Sequence, residues 1–391
     1  MVREDYSVAM VVLLLLVTIP IADGLRDSRH ISCTGAVHYP SLLSKGLNYL
    51  SLYNMYANDH TTNDTLRRDF SRFQRDGISV ISLSLFWNKL EGDARGTYDG
   101  TNPDGSFYGK RFLDEVKRVL SIASEYSIKV LLKFHTLWGN DSEWCTPDYA
   151  IDPVTGENIG LAVVRSEEVR QAFVDMFNHT VKYLSGTPGI WAWAVLNEPW
   201  YWPSRLEAPF DKIDQKENFI DLIQNLSSIV KTLDGHPTTV EFVSTHQYAD
   251  SDNVTRLQNI FIDNWNWDQR IFDTLDFVGF NDYAPLESEL TCVWRNMTTE
   301  NVIGCFQRHE KVWITEFGFE SDDDAIQAEY YINVREFYKS IPLDGWVAWF
   351  WRGDVPPLGW PEAPGEIGKG MNLCSSADGT PRPAYFAMLQ D

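Results

Sequence analysis

Residues 191–202 read WAWAVLNEPWYW. The segment alternates with the two-residue period of a β-strand, Trp191, Trp193, Val195 and Asn197 on one side and Ala192, Ala194, Leu196 and Glu198 on the other. Pro199 stops the strand and leaves the Glu198 carboxyl at its C-terminal tip. In an α/β barrel the strand C-termini form the functional face, so an Asn-Glu pair ending an apolar strand lies where chemistry is expected. Residues 311–319, KVWITEFGF, repeat the arrangement with Glu316 at the tip. Two glutamates on strand tips point to a hydrolase that works with a pair of carboxyl groups.

The rest of the chain is built in the same units. Residues 46–53 (GLNYLSLY) read as a first strand. Residues 62–76 place Leu66, Phe70 and Phe73 at helical spacing, with Asn63 and Asp64 as capping candidates and Gly77 closing the helix. Strands are expected at 78–87, 129–134 (delivering His135 to a tip), 239–244, 277–283 and 345–351, and helices at 112–126, 166–184, 219–233 and 325–338. Eight strand-then-helix units without a second composition regime predict one α/β domain, a (β/α)8 TIM barrel with long loops on the active-site side.

A net charge of −22 argues against nucleic acid, which demands a basic surface to neutralise phosphates, and against anionic membrane surfaces. It suits a neutral ligand. Aromatic residues make up 14 % of the chain, fifteen of them Trp. Most fill a large core, and those outside the strands and helices are candidates for a ligand-facing surface. The histidines show no HxH on an early strand and the cysteines no CxxC, so no metal or cofactor is expected.

Residues 8–22 form an uninterrupted apolar run, short for a membrane span. A secretory signal over 1–24 fits, followed by a catalytic domain over 25–391. Glu4 and Asp5 depart from the usual positive start of such a signal, which leaves an uncleaved anchor as the alternative. Asn-x-Ser/Thr acceptors begin at Asn63, Asn140, Asn178, Asn225, Asn253 and Asn296, as in a secreted glycoprotein. Of the five cysteines, Cys292 and Cys305 flank a short polar loop and are the favoured disulfide, which leaves one of the others unpaired or bonded elsewhere.

The Asn197-Glu198-Pro199 turn, the Thr315-Glu316-Phe317-Gly318 segment and the Trp-rich strand at 345–351 together resemble the retaining glycoside hydrolases of clan A, most nearly family 5. The resemblance runs through nearly the whole chain after the signal, and residues 379–388 are similar to that clan's last helix. It implies Glu198 as acid/base, Glu316 as nucleophile and Asn197 on the sugar's 2-hydroxyl. It further implies Tyr283 beside the nucleophile, His135 at the third tip, and Trp349 as the sugar platform. Trp351 shares the strand face of Trp349, and the sequence does not separate the two. Two positions depart from the family pattern: Ser82, Ser84 and Phe86 stand where the second strand usually carries an arginine, and Asn281-Asp282-Tyr283 replaces a His-x-Tyr on the sixth.

These roles make physical sense. An acid/base must hold a proton near neutrality, so burial and the charge of Glu316 should raise Glu198, while Tyr283 can donate to Glu316 and keep it ionised. Trp138, Trp200 and the eighth-strand tryptophans offer uncharged faces for stacking on sugars. The expected activity is endo-hydrolysis of a neutral β-1,4-linked polysaccharide, glucan or mannan, outside the cell. The long loops at 136–165 and 284–305 either wall an open cleft or close it into a pocket, so an exo-acting β-glycosidase on oligosaccharides or glycoconjugates is the alternative. A catalytically silent sugar-binding barrel is a third reading, disfavoured because both glutamates are present.

Overall fold

The computed structural model describes residues 43–49, 62–87, 109–135, 156, 162–199, 213–243, 268–283, 311–319, 321, 323–351, 372–374 and 379–390. Eight strands lie in chain order: β1 (Ser44–Asn48), β2 (Ile78–Phe86), β3 (Lys129–His135), β4 (Ile190–Asn197), β5 (Thr238–Val243), β6 (Val278–Asn281), β7 (Val312–Glu316) and β8 (Gly345–Ala348). Each pairs in parallel with the next, and β8 closes on β1 through Ser44 with Gly345 and Leu47 with Ala348. The (β/α)8 barrel read from the sequence is therefore the fold.

The described helices are α1 (Asn63–Arg75), α2 (Lys110–Glu125), α3 (Ala162–Arg165), α4 (Glu167–Leu184), α5 (Ile213–Leu233), α6 (Gln269–Phe272), α7 (Asp324–Tyr338) and α8 (Pro383–Leu389). In α1, Leu66, Phe70 and Phe73 form the buried face as their spacing requires. Its cap is Thr62, whose hydroxyl accepts from the Thr65 amide, rather than Asn63 or Asp64, which lie inside the first turn. Ser166 caps α4 ahead of Glu167 and Glu168, and Asp323 caps α7.

β1, β6 and β8 end earlier than the sequence suggested, β6 at Asn281 in place of Tyr283. β1 stops at Asn48, and the Tyr49 side chain turns outward to donate to Asp69 of α1 at 3.0 Å. β8 stops at Ala348 because its ladder with β1 ends there. Residues 349–351 continue in another conformation, with a cis peptide bond between Trp349 and Phe350.

The barrel interior is layered along its axis. At the N-terminal end of the strands, Val80, Leu131, Ala192, Ala194, Phe277, Trp313 and Val347 form an apolar plug, with Trp191 packed against Phe277 and Trp313. Gly345 makes room for it: a Cβ there would come within 2.5 Å of the Trp313 ring. Towards the C-terminal end the inward positions turn polar and buried, with Asn48, Ser82, Lys133, Asn197, Glu241, Asn281, Thr315 and Glu316. The larger apolar core fills the outer shell between strands and helices.

Candidate active site

Strict alternation would put Asn197 and Glu198 on opposite faces of β4, and they do not lie that way. The ladder with β5 pairs Ala194 with Thr239 but Leu196 with Val240, so Val195 is an extra residue, a β-bulge. Glu198 then takes a left-handed backbone (φ 44°), rare for a residue with a side chain. The result turns both side chains towards Asn281 of β6, whose Nδ2 donates to Glu198 Oε1 at 2.8 Å and to Asn197 Oδ1 at 3.3 Å. β7 is built alike. Phe280 pairs with Ile314 but Asn281 with Glu316, which makes Thr315 the extra residue. The Thr315 hydroxyl donates to Asn281 Oδ1 at 2.9 Å while Glu316 enters the same mouth.

Asn281 thus clamps the two carboxylate-bearing strands, a part its place in the Asn281-Asp282-Tyr283 segment did not specify. Asp282 points away into the shell and accepts from Tyr338 at 3.1 Å. Tyr283 returns to the mouth and donates to Glu316 Oε2 at 2.7 Å. Burial, followed by the charges of Glu316 and Glu198, holds its phenol well above the ordinary value, so it remains a donor.

The two glutamates sit in unequal surroundings. Burial, reinforced by the charge of Glu316, pushes the Glu198 carboxyl up to about 8, which keeps it protonated at neutral pH. Burial also raises Glu316, but here the Lys133 charge and hydrogen bonds from Lys133 and Tyr283 oppose it. Glu316 Oε1 accepts from Lys133 Nζ and Oε2 from Tyr283. Of the pair, Glu316 is accordingly the one equipped to carry a negative charge.

Lys133 of β3 and Glu241 of β5 were not singled out in the sequence. Lys133 Nζ donates to Glu241 Oε2 at 3.1 Å as well as to Glu316, and both ends of this bridge are buried. The signal was present. Each is an ionisable residue at an inward position well inside a strand, two residues before the tip in KVLLKFH, where Lys129 stands at the strand's start, and mid-strand in TTVEFV. The positive charge beside Glu316 comes from β3, not from β2, where Ser82 instead donates to Asn48 Oδ1.

Trp349 and Trp351 part company. Trp349 is partly exposed and faces the mouth, with Lys133 Nζ 5.5 Å from its ring centre. Trp351 is 0 % exposed, packs edge-on against Phe73 and donates from Nε1 to Asp69 at 3.2 Å. It belongs to the shell around α1 and is no sugar platform, because the strand that would have kept the two on one face ends at Ala348. His135 ends β3 as expected, paired with Phe86, but its side chain lies outside the described residues. So do Trp138, Trp200, Cys292, Cys305 and the loops at 136–155 and 284–305. Cys374 is buried and its thiol donates to the Trp351 carbonyl at 2.9 Å. Among the described residues no cluster of His, Cys, Asp and Glu is suited to a metal ion, and no helix is long and apolar enough to cross a membrane.

No family model and no curated protein matches the chain. Solved structures do. A GH5_18 protein from Streptomyces cattleya in complex with GlcNAc superposes with a TM-score of 0.62 at 13 % identity, over 89 % of this chain and 79 % of that one. The hyperthermostable endo-1,4-β-D-mannanase of Thermotoga petrophila RKU-1, with maltose and glycerol, gives 0.60 at 15 % identity over 89 % and 98 %. The endo-1,4-β-mannanase of Rhizomucor miehei gives 0.56 at 15 % identity over 92 % and 99 %. These neighbours are glycoside hydrolases of family 5 type, and at such identities what they share with this chain is the eight-stranded parallel barrel.

Proposed function

We propose that the chain is a retaining glycoside hydrolase acting on a neutral β-1,4-linked glucan or mannan, with Glu198 as acid/base and Glu316 as nucleophile. The observation that carries the reading is the contrast between the two buried carboxyls. Glu198 keeps its proton to about pH 8, while Glu316 accepts from an ammonium and a phenol. That is the division of labour double displacement needs.

In the first step the Glu316 carboxylate attacks the anomeric carbon, and Glu198 gives its proton to the departing glycosidic oxygen. A glycosyl ester on Glu316 forms as the bond to the leaving sugar breaks. Its formation removes the charge on Glu316 that helps to hold the Glu198 proton, so Glu198, now ionised, is a better-matched base for the second step. There it takes a proton from water, whose oxygen attacks the anomeric carbon and releases Glu316 as carboxylate. Asn281 keeps Glu198 aimed through both steps, and Asn197 beside it is the candidate for the 2-hydroxyl of the sugar. Trp349 offers the stacking face.

The neighbouring mannanases support a β-mannan or related glucan, and the polymer would be met outside the cell. The apolar run at 8–22 supports secretion with residues 1–24 as the signal, and Asn63, Asn178 and Asn225 lie exposed on helix surfaces where glycans fit. A second reading, exo-hydrolysis of a short glycoconjugate, is favoured by GH5_18 neighbours solved with Manβ1-4GlcNAc. The test is release of reducing ends from cellulose, glucomannan, mannan, xylan and β-1,3-glucan, and of monosaccharide from Manβ1-4GlcNAc, by the wild type and by Glu316→Ala. One substrate cleaved, with activity falling by orders of magnitude in the variant, supports the assignment. Activity that survives in Glu316→Ala overturns it.

A further inference from the structure

We propose that Lys133 and Glu241 are a positioning pair for the reaction, Lys133 fixing Glu316 as an aimed carboxylate and Glu241, as the neutral acid, anchoring Lys133 from β5. The inference rests on the proposed role of Glu316 and adds to it two residues that touch neither sugar nor bond.

The argument starts from charge balance. β3, β5 and β7 bring Lys133, Glu241 and Glu316 into one buried layer, and the tips of β4 and β6 add Glu198 and Tyr283. β1 and β2 contribute Asn48, Ser82 and Ser84, and Trp349 follows β8; none of these adds an ionisable side chain to the layer, since Lys45 of β1 donates to the Leu389 carbonyl instead. Three carboxyls therefore share one ammonium. More than one anion in such a layer is costly, because a buried charge without an opposite partner is strongly penalised.

Geometry decides which carboxyl ionises. Glu316 has a donor on each oxygen, Lys133 on Oε1 and Tyr283 on Oε2. Glu241 accepts from Lys133 on Oε2, and its Oε1 has no hydrogen bond of ordinary geometry among the described residues. An orphaned oxygen is tolerable as a neutral hydroxyl and expensive as half of an anion. The proton belongs on Glu241 and the charge on Glu316. In agreement, burial lifts Glu241 to about 8 against the pull of Lys133. Burial works against the Lys133 ammonium too, but the two carboxyls outweigh it and raise its pKa. The anchor sets the aim as well. Lys133 spans from Glu241 to Glu316 with its Nζ also near the Trp349 ring, so its side chain cannot swing without losing all three contacts.

The experiment compares wild type, Lys133→Met, Glu241→Gln and the double variant Lys133→Met/Glu241→Met on whichever substrate the wild type cleaves. In Lys133→Met the acidic limb of kcat/KM moves upward, so that at pH 5 activity relative to the variant's own maximum falls by about tenfold or more, the effect of losing an opposite charge at contact distance. Most of the loss lies in kcat and little in KM. Glu241→Gln has the shape of the neutral acid and leaves this limb where it is in wild type, and a limb that moves would show Glu241 to be ionised and overturn its part in the proposal. Should Lys133→Met fail to fold, the double variant removes the ammonium together with the carboxyl that anchors it and keeps the raised limb. A folded variant lacking Lys133 whose limb matches wild type overturns the proposal. Carbon-13 titration of the glutamate carboxyls, with Glu316 assigned by Glu316→Gln, reads the same shift without turnover. If no sugar is released from any substrate, the glycosidase reading falls, and this titration still decides for or against Lys133.

Discussion

Replacing Glu198 by Gln should stabilise the protein, and by an amount that depends on pH in a defined way. Gln has the shape of the protonated acid, and its Oε1 can accept from Asn281 Nδ2 as Glu198 does at 2.8 Å. The folded state lifts Glu198 from 4.5 to about 8. Below pH 4.5 both folded and unfolded chains are protonated there and no cost exists. As pH rises from 4.5 to about 8 the unfolded chain ionises while the folded one resists, so wild-type stability is lost at about 1.36 kcal/mol per pH unit, to a total of about 5 kcal/mol. Above about 8 both states are ionised and the loss levels off. Gln does not titrate, so the stability difference should be small at pH 4, climb through neutrality and flatten near pH 8 to 9. Glu241, Glu316 and Lys133 are common to both proteins, and in this range the folded wild type carries no charge at 198, so their contributions cancel to first order. Guanidinium unfolding at steps of half a pH unit measures the difference directly and needs no substrate. A difference that stays flat from pH 5 to 8, or shrinks, would refute the claim that Glu198 is held protonated.

Tyr283→Phe removes a 2.7 Å hydrogen bond to Glu316 Oε2, and kcat should fall by about tenfold to a hundredfold, the worth of about 1.5–3 kcal/mol for a bond to a charged group; steady-state kinetics at the pH optimum reads it. Trp349→Ala should raise KM with little change in melting temperature, whereas Trp351→Ala should cost about 3–5 kcal/mol of stability because that ring is fully buried and bonded to Asp69. Gly345→Ala forces a methyl group within 2.5 Å of Trp313 and should cost about 1–3 kcal/mol, visible in thermal unfolding.

Much of this architecture is legible in the chain because its signals are local. Leu66, Phe70 and Phe73 announce the inner face of α1, and the apolar alternation of β4 ending in Asn-Glu-Pro announces a strand tip with a carboxyl on it. What stayed hidden depends on residues far apart in sequence. Whether Val195 or Thr315 bulges is settled by pairing with β5 and β6, so alternation alone assigned Asn197 and Glu198 to opposite faces. Trp349 and Trp351 look equivalent in a strand of seven residues and differ because β1 gives β8 partners only as far as Ala348. Lys133 and Glu241 lie 108 positions apart, and neither gains meaning until the barrel closes and sets one against the other.

The paired bulges carry a consequence for how such a site can change. One surplus residue in β4, together with the left-handed backbone at Glu198, and one in β7 let two neighbouring side chains from each strand face the same mouth. The facing of the carboxyls is therefore stored in the number of residues along the strand more than in their identity. Exchanging Val195 for another aliphatic residue would leave Glu198 where it is. Deleting Val195 itself would leave Leu196 opposite Val240 and Asn197 opposite Glu241 in an even ladder, whereas a residue gained or lost elsewhere in the strand would carry everything beyond it one step around the pleat and turn the carboxyl away from the mouth, as a one-residue slip does in any sheet with distinct faces. Lineages descending from this chain should thus accept many substitutions in the two strands and almost no changes of length outside the bulges.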